Sequence, residues 1–301
     1  KLLDPWTVEV NGKKLTARDI VLATGAAPFV PPIPGLKEAG FLTSDNVWEL
    51  REQPKRLVVL GGGPIGSELT QAFARLGSKV TQVEMLPRIM VREDPEISAF
   101  VMKRFIAEGI DVRVNTKAKS VVVEGGQKYL VVEKDGKDEK LPFDQILVAV
   151  GRSARLKGYG LEEVGVKVAR TIEVNEFLQT NFPNIYAVGD VAGPYQFTHT
   201  AAHMAWYAAV NALFAPLLAL RGGKFKVDYS VIPWATFTEP EVARVGLNET
   251  EAKEKKIPHE VTTFDLEELD RAIADGEAHG VVKVLTVPGK DKILGVTIAG
   301  E

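Results

Sequence analysis

The chain has 301 residues, 45% hydrophobic and 26% charged, a composition that excludes disorder and gives enough length for two or three domains. Lys and Arg number 37 against 40 Asp and Glu, a net charge of −3, and no run of five or more like charges occurs, which argues against nucleic acid or an anionic membrane as partner. Cysteine is absent, so disulfide staples, Cys-ligated zinc, thiolate nucleophiles and iron–sulfur clusters are excluded from this chain.

The opening Lys1-Leu2-Leu3-Asp4-Pro5-Trp6 has neither an initiator Met nor a charged-then-apolar leader. Val8 to Leu15 reads as a hairpin about Asn11-Gly12, followed by an apolar strand, Ile20 to Ala23, that ends in Thr24-Gly25. Leu57 to Leu60 is a second apolar strand, running into Gly61-Gly62-Gly63-Pro64-Ile65-Gly66 and then a helix over Ser67 to Leu76 closed by Gly77. A strand over Lys79 to Glu84 ends on an acid, and Pro95 opens a helix to about Glu108. Asp111 to Val114, Ser120 to Val123 and Tyr129 to Glu133 read as strands, an Asp135-Gly136 turn follows, and Ile146 to Val150 is again apolar. Tyr186 to Val188 reads as a short buried strand delivering Gly189-Asp190 to a turn, and Thr198 to Leu220 as a helix-rich segment. Its apolar part, Ala205 to Leu220, is too short to span a membrane and carries Asn211 and Pro216. Arg221-Gly222-Gly223-Lys224 reads as a linker, Glu249 to Lys256 as a charged helix, and Ile293 to Ile298 as a strand.

The chain also echoes itself. Val8 to Leu15 followed by Asp19 to Gly25 recurs as Val132 to Gly136, Lys140-Leu141 and then Gln145 to Gly151, each copy reading strand, Asx-Gly hairpin, strand, and an apolar strand ending in Ala-x-Gly. The second copy closes a complete dinucleotide-binding domain, so the first is expected to close another whose opening βαβ unit lies upstream of Lys1. An apolar strand such as Ile20 to Ala23 calls for sheet neighbours on both sides.

Within the glycine turn, Gly61 permits the sharp bend, Gly63 lets backbone approach a pyrophosphate, and Gly66 allows close helix–strand packing. The helix N-terminus behind it supplies free amides and the positive end of a dipole. Glu84, eighteen residues after Gly66, is placed to accept from both ribose hydroxyls, which favours NAD over NADP because a 2′-phosphate would meet a like charge; Arg88 pulls the other way. Asp190 suits a sugar or ribityl hydroxyl, or equally an Asx turn. His199 and His203 stand four apart, but no third ligand accompanies them, so a helix start at Thr198 and His199 approaching a ligand is preferred to a metal site. Glu68 serves either the helix dipole or an ion pair in a cofactor cleft.

Four segments together resemble the pyridine nucleotide-disulfide oxidoreductases, the group of dihydrolipoamide dehydrogenase, mercuric reductase and glutathione reductase: Ile20 to Gly25, Gly61 to Glu68, Asn184 to Asp190, and Phe237 to Gly246. The resemblance covers the whole chain, matched to the middle of a family subunit. It implies an α/β fold of two Rossmann-like FAD/NAD(P)-binding domains, the first incomplete, plus the start of an α+β dimerisation domain. Residues 1–47 would close the first FAD segment, 48–152 bind NAD, 153–224 form the second FAD segment, and 225–301 begin the dimerisation domain.

By the same resemblance Ala23, Thr24, Gly25, Asp190, Thr198 and His199 would serve FAD, and Gly61, Gly62, Gly63, Pro64, Ile65, Gly66, Glu84, Ala118, Ala149, Val150, Gly151 and Arg152 would hold NAD. Glu68 matches the acid that pairs, in relatives, with a lysine beside the flavin. The family's Cys-x4-Cys redox pair, that lysine and the C-terminal His-Pro…Glu have no counterpart here, and Gly151-Arg152-Ser153-Ala154-Arg155 departs from the family's Gly-Arg-x-Pro-Asn. The implied parent is a cytoplasmic homodimeric flavoenzyme carrying electrons from NADH through FAD to a disulfide or metal ion, with this chain inactive alone. The alternatives are a non-catalytic NAD-binding module and a flavin NADH oxidase or ferredoxin reductase, the latter disfavoured by Phe237 to Gly246.

Overall fold

The computed structural model describes residues 1–219 and 223–300, so half of the linker expected at Arg221 to Lys224 lies outside the described residues. Two compact units emerge, one of residues 1–27 with 152–230, the other of residues 28–151 with 231–301.

In the first unit, Leu2–Asp4, Thr7–Val10 and Lys13–Thr16 make an antiparallel sheet in that order. Val10 pairs with Lys13 across Asn11-Gly12, whose φ values of 50° and 75° are the left-handed pair that a two-residue hairpin requires. Ile20–Leu22 runs parallel to Ile185–Ala187, its one strand partner among the described residues. The long helix Thr198–Ala219 closes this core by burying Met204, Ala208 and Ala212 against Ile185, Tyr186 and Leu178.

The second unit holds a four-stranded parallel sheet in the order Gln145–Val148, Arg56–Leu60, Lys79–Val83, Asp111–Arg113. Leu57 to Leu60 and Ile146 to Val148 read as unbroken apolar runs because both faces are covered, and alternate residues divide between them. Val58, Leu60, Ile146 and Val148 pack with Leu130, Leu141 and Phe143 of a meander, Lys117–Glu124, Gln127–Lys134 and Lys137–Phe143. Leu57, Val59, Val80 and Leu147 pack on the other side with Leu69 and Phe73 of the helix Pro64–Arg75. Each such burial contributes about 1.5–3 kcal/mol.

That helix begins at Pro64, three residues before the expected Ser67, because proline needs no amide partner at the first helical position. Residues 28–47 lie in the second unit. Leu36 and Val47 join the two cores of the parallel sheet, and Leu42 bridges to Leu147, so this stretch packs with the second unit.

A five-stranded antiparallel sheet completes the second unit, in the order Pro233–Thr236, Glu241–Gly246, Ile293–Gly300, Val281–Thr286, Glu260–Asp265. Its Val242 and Ala299 pack on Ile97, Val101 and Phe105 of the helix Pro95–Ala107. Lys283, buried, lies 2.8 Å from both Asp94 and Glu249, tying this sheet to the start of that helix. Among the described residues no helix is long and apolar enough to cross a membrane.

Candidate functional site

The glycine turn sits at the carboxyl end of Arg56–Leu60. Gly61 has φ +109°, and a Cβ there would stand 2.4 Å from the Ala149 carbonyl oxygen; a Cβ on Gly66 would stand 2.2 Å from the Gly61 oxygen. These two glycines are required by the protein itself. Gly63 is different: its backbone is extended and nothing lies within 4 Å of where its Cβ would be. The helix behind it has no side-chain N-cap, and its first internal bond runs from the Ser67 amide to the Gly63 oxygen, so the amides of Gly63, Ile65 and Gly66 precede the helical ladder. The result is an open cradle of donors at a positive helix end.

Glu84 follows the next strand and accepts from the Gly62 amide at 2.6 Å and the Leu86 amide at 2.7 Å, which fixes its carboxylate beside the turn. Arg88 donates through Nη2 to the Val91 carbonyl at 3.2 Å. The Thr116 amide donates to the Glu84 carbonyl, which brings the strand carrying Ala118 alongside. Ala149 donates to the Leu60 carbonyl, Val150 is exposed, and Gly151 accepts from the Phe29 amide, so all three line the same sheet end as the turn.

Arg152, the next residue, belongs to the first unit, where its Nε stands 3.4 Å from Asp190 and its Nη2 donates to the Ala26 carbonyl. Asp190 lies in a single 3-10 turn directly after Ile185–Ala187. Ala23, Thr24 and Gly25 leave the neighbouring parallel strand, the Thr24 hydroxyl 2.9 Å from that of Tyr159, with Gly25 at φ +69° and open space where its Cβ would stand. Burial raises the Tyr159 phenol. Thr198 opens the long helix and is exposed, and the His199 ring stacks on Phe197 with centroids 5.4 Å apart. His203, one turn on, donates from Nε2 to the Asp228 carbonyl at 2.7 Å. The first unit also contains a cavity of about 820 Å³, whose walls include Asn175, Gln196 and Tyr229.

Glu68 falls in the second turn of its helix, too far along to serve the dipole, and accepts from the Phe237 amide at 2.9 Å. Burial raises its carboxyl, with the Phe237 amide opposing. It stands in a cleft of about 580 Å³ with Gln71, Arg75, Phe237 and Glu239. Gln71 accepts from the Glu239 amide and donates to the Glu239 carbonyl, both at 2.7 Å. Arg75 pairs with the Glu239 carboxylate, and Arg104 reaches it at 2.8 Å. Burial opposes ionisation of Glu108, but Arg75 and Arg104 outweigh it and hold that carboxyl below the usual range. Gln71 and Arg75 belong to no motif in the sequence, and the segment Phe237 to Gly246 gives Glu239 no partner; the one signal there is the helical spacing of Glu68, Gln71, Ala72 and Arg75, which marks one face without saying what meets it.

The family model for pyridine nucleotide-disulphide oxidoreductase matches residues 1–205, and the model for that family's dimerisation domain matches residues 232–301. A mercuric reductase of Staphylococcus aureus is 36% identical over 99% of this chain and 54% of its own length. A dihydrolipoyl dehydrogenase of Thermus scotoductus is 37% identical over 98% of this chain and 63% of its own. Among solved structures, the HOCl-induced flavoprotein disulfide reductase RclA of Escherichia coli superposes with a TM-score of 0.86 at 29% identity, covering 99% of this chain and 67% of that one. The chain spans about half the length of the mercuric reductases it matches. Mixed α/β units, the glycine turn with its acid, and both family matches lead to one conclusion: this chain belongs to the pyridine nucleotide-disulphide oxidoreductase family.

Proposed function

We propose that the chain contributes the pyridine nucleotide site, and part of the flavin site, of an oxidoreductase that oxidises NADH by way of FAD and reduces a disulfide or a metal ion. The observation carrying this reading is the cradle at Gly63, where backbone is free of side chain on the ligand side and backed by an uncapped helix. Gly63, Ile65 and Gly66 would donate to the diphosphate and Glu84 would accept from the ribose. Arg88 is committed to a main-chain carbonyl and Glu84 would repel a 2′-phosphate, which supports NAD over NADP. Glu68 and Phe237 would border the nicotinamide end of the cleft.

The first unit also fits its cofactor. Gly25 leaves room for close approach, and Asp190 offers a carboxylate beside Arg152 for a ribityl hydroxyl. FAD, when bound, would supply the hydride-accepting chemistry; the protein's part is orientation and exclusion of water. We propose further that the working form is a cytoplasmic homodimer. Isothermal titration with NADH and NADPH tests the nucleotide assignment: NADH binds one per chain and at least tenfold tighter than NADPH, and E84A abolishes that preference. NADPH binding as tight as NADH overturns it.

A further inference from the structure

Beneath the glycine turn lies a small polar floor that the nucleotide reading does not use. Gln82, in Lys79–Val83, has no solvent exposure, yet its Nε2 donates to the Gly61 carbonyl at 3.1 Å and to the Ser67 hydroxyl at 3.3 Å. Ser67 is equally buried and donates to the Gly62 carbonyl at 3.3 Å, an oxygen that also accepts from the Met90 amide at 2.6 Å. Gln82 Oε1 is buried with no partner. An orphaned buried carbonyl is a cost, so this glutamine is a poor choice for packing alone. What it provides in exchange is its two bonds to the turn.

Peptide geometry shows what those bonds accomplish. The Gly61–Gly62 and Gly62–Gly63 linkages are trans, so each carbonyl points opposite to the amide that follows it. With the Gly61 oxygen held by Gln82, the Gly62 amide faces the other way and meets Glu84 Oε2 at 2.6 Å. With the Gly62 oxygen held by Ser67 and Met90, the Gly63 amide faces away from the core, on the residue whose Cβ direction is empty. Glycine populates both signs of φ, so these peptides lack the Cβ that would otherwise bias their orientation.

We propose that Gln82 and Ser67 are positioning residues for dinucleotide binding: they hold the Gly61 and Gly62 carbonyls inward, so that the Gly62 amide orients Glu84 for the ribose and the Gly63 amide is presented to the diphosphate. This rests on the nucleotide reading above. The test uses Q82M, which keeps volume and removes both donors, and S67A, with ADP-ribose as the probe. Two readouts are followed: the Kd by titration calorimetry, and the shift of the Gly63 amide resonance on saturation with ADP-ribose. Q82M should keep the wild-type circular dichroism while its Kd rises about tenfold and the Gly63 shift shrinks; S67A should do the same by a smaller factor. If Q82M fails to fold, S67A decides the matter alone. Folded variants with wild-type Kd and an unchanged Gly63 shift overturn the proposal and leave the nucleotide site standing. A wild-type protein with no heat and no Gly63 shift overturns the nucleotide reading and this proposal with it.

Discussion

The three glycines of the turn should fail in different ways when each becomes alanine. At Gly63 the backbone is extended, with φ −75° and ψ −179°, and a Cβ meets nothing within 4 Å, so G63A should fold with stability within about 1 kcal/mol of wild type. A diphosphate seated on the Gly63 amide would pass over the open side of the turn, through the space that is empty where the new methyl would stand, so the methyl would hold it off the amide. One charge-assisted bond is then lost, about 1.5–3 kcal/mol, or about ten- to a hundredfold in NADH affinity. At Gly61 a methyl would stand 2.4 Å from the Ala149 oxygen on a residue with φ +109°, costing about 1–2 kcal/mol for the conformation and about 1–3 for the overlap. At Gly66 the clash, 2.2 Å from the Gly61 oxygen, is with backbone that cannot retreat without moving the turn. Calorimetric titration with NADH and urea melts of all three variants separate the effects. G63A binding NADH as wild type does, or losing stability as G61A does, refutes the reasoning.

Lys283 is buried against Asp94 and Glu249, so K283M strands a buried carboxylate and should cost about 3–5 kcal/mol in denaturant melts. Burial works against Asp94, but Lys283 and the Thr250 and Glu249 groups hold its carboxyl below the usual range, and Glu249 is lowered by Lys253 and Lys283. Depressed carboxyls stabilise above their unfolded pKa of about 4 and lose that contribution as pH falls through the folded value. Stability should therefore drop below about pH 4, and K283M should flatten that drop. Glu68 has the opposite sign: its raised carboxyl weakens the fold once ionised, so E68Q, still able to accept from Phe237, should melt no lower than wild type at pH 7, with any gain gone by pH 4. E239A breaks the contacts to Arg75 and Arg104, and because these groups are partly exposed the loss should be about 1 kcal/mol by urea melts.

The parallel sheet and its turn were legible because their physics is local: an apolar run, a glycine at each forced approach, an acid at the next strand end. The Asx-Gly hairpins were equally plain, since Asn11-Gly12 and Asp135-Gly136 both take the positive φ values that such a turn demands. What escaped depends on partners far apart in sequence. Glu68 finds the Phe237 amide 169 residues away, and Gln71 finds Glu239 168 away, at positions that read only as a helix face. Lys283 alternates with apolar neighbours as a solvated strand residue would, yet it is enclosed by acids from two other elements. Arg152 follows Gly151 directly, but its side chain reaches Asp190 and the Ala26 carbonyl, partners 38 and 126 residues away that the turn's own motif does not announce.

The central claim is that Gly63 and Glu84 together receive a pyridine nucleotide. A crystal structure of the protein with NADH tests it most directly. The account predicts diphosphate oxygens on the Gly63 and Ile65 amides, a ribose on the Glu84 carboxylate and the nicotinamide in the cleft beside Glu68 and Phe237. A nucleotide bound elsewhere, with the Gly63 cradle filled by solvent, would contradict it.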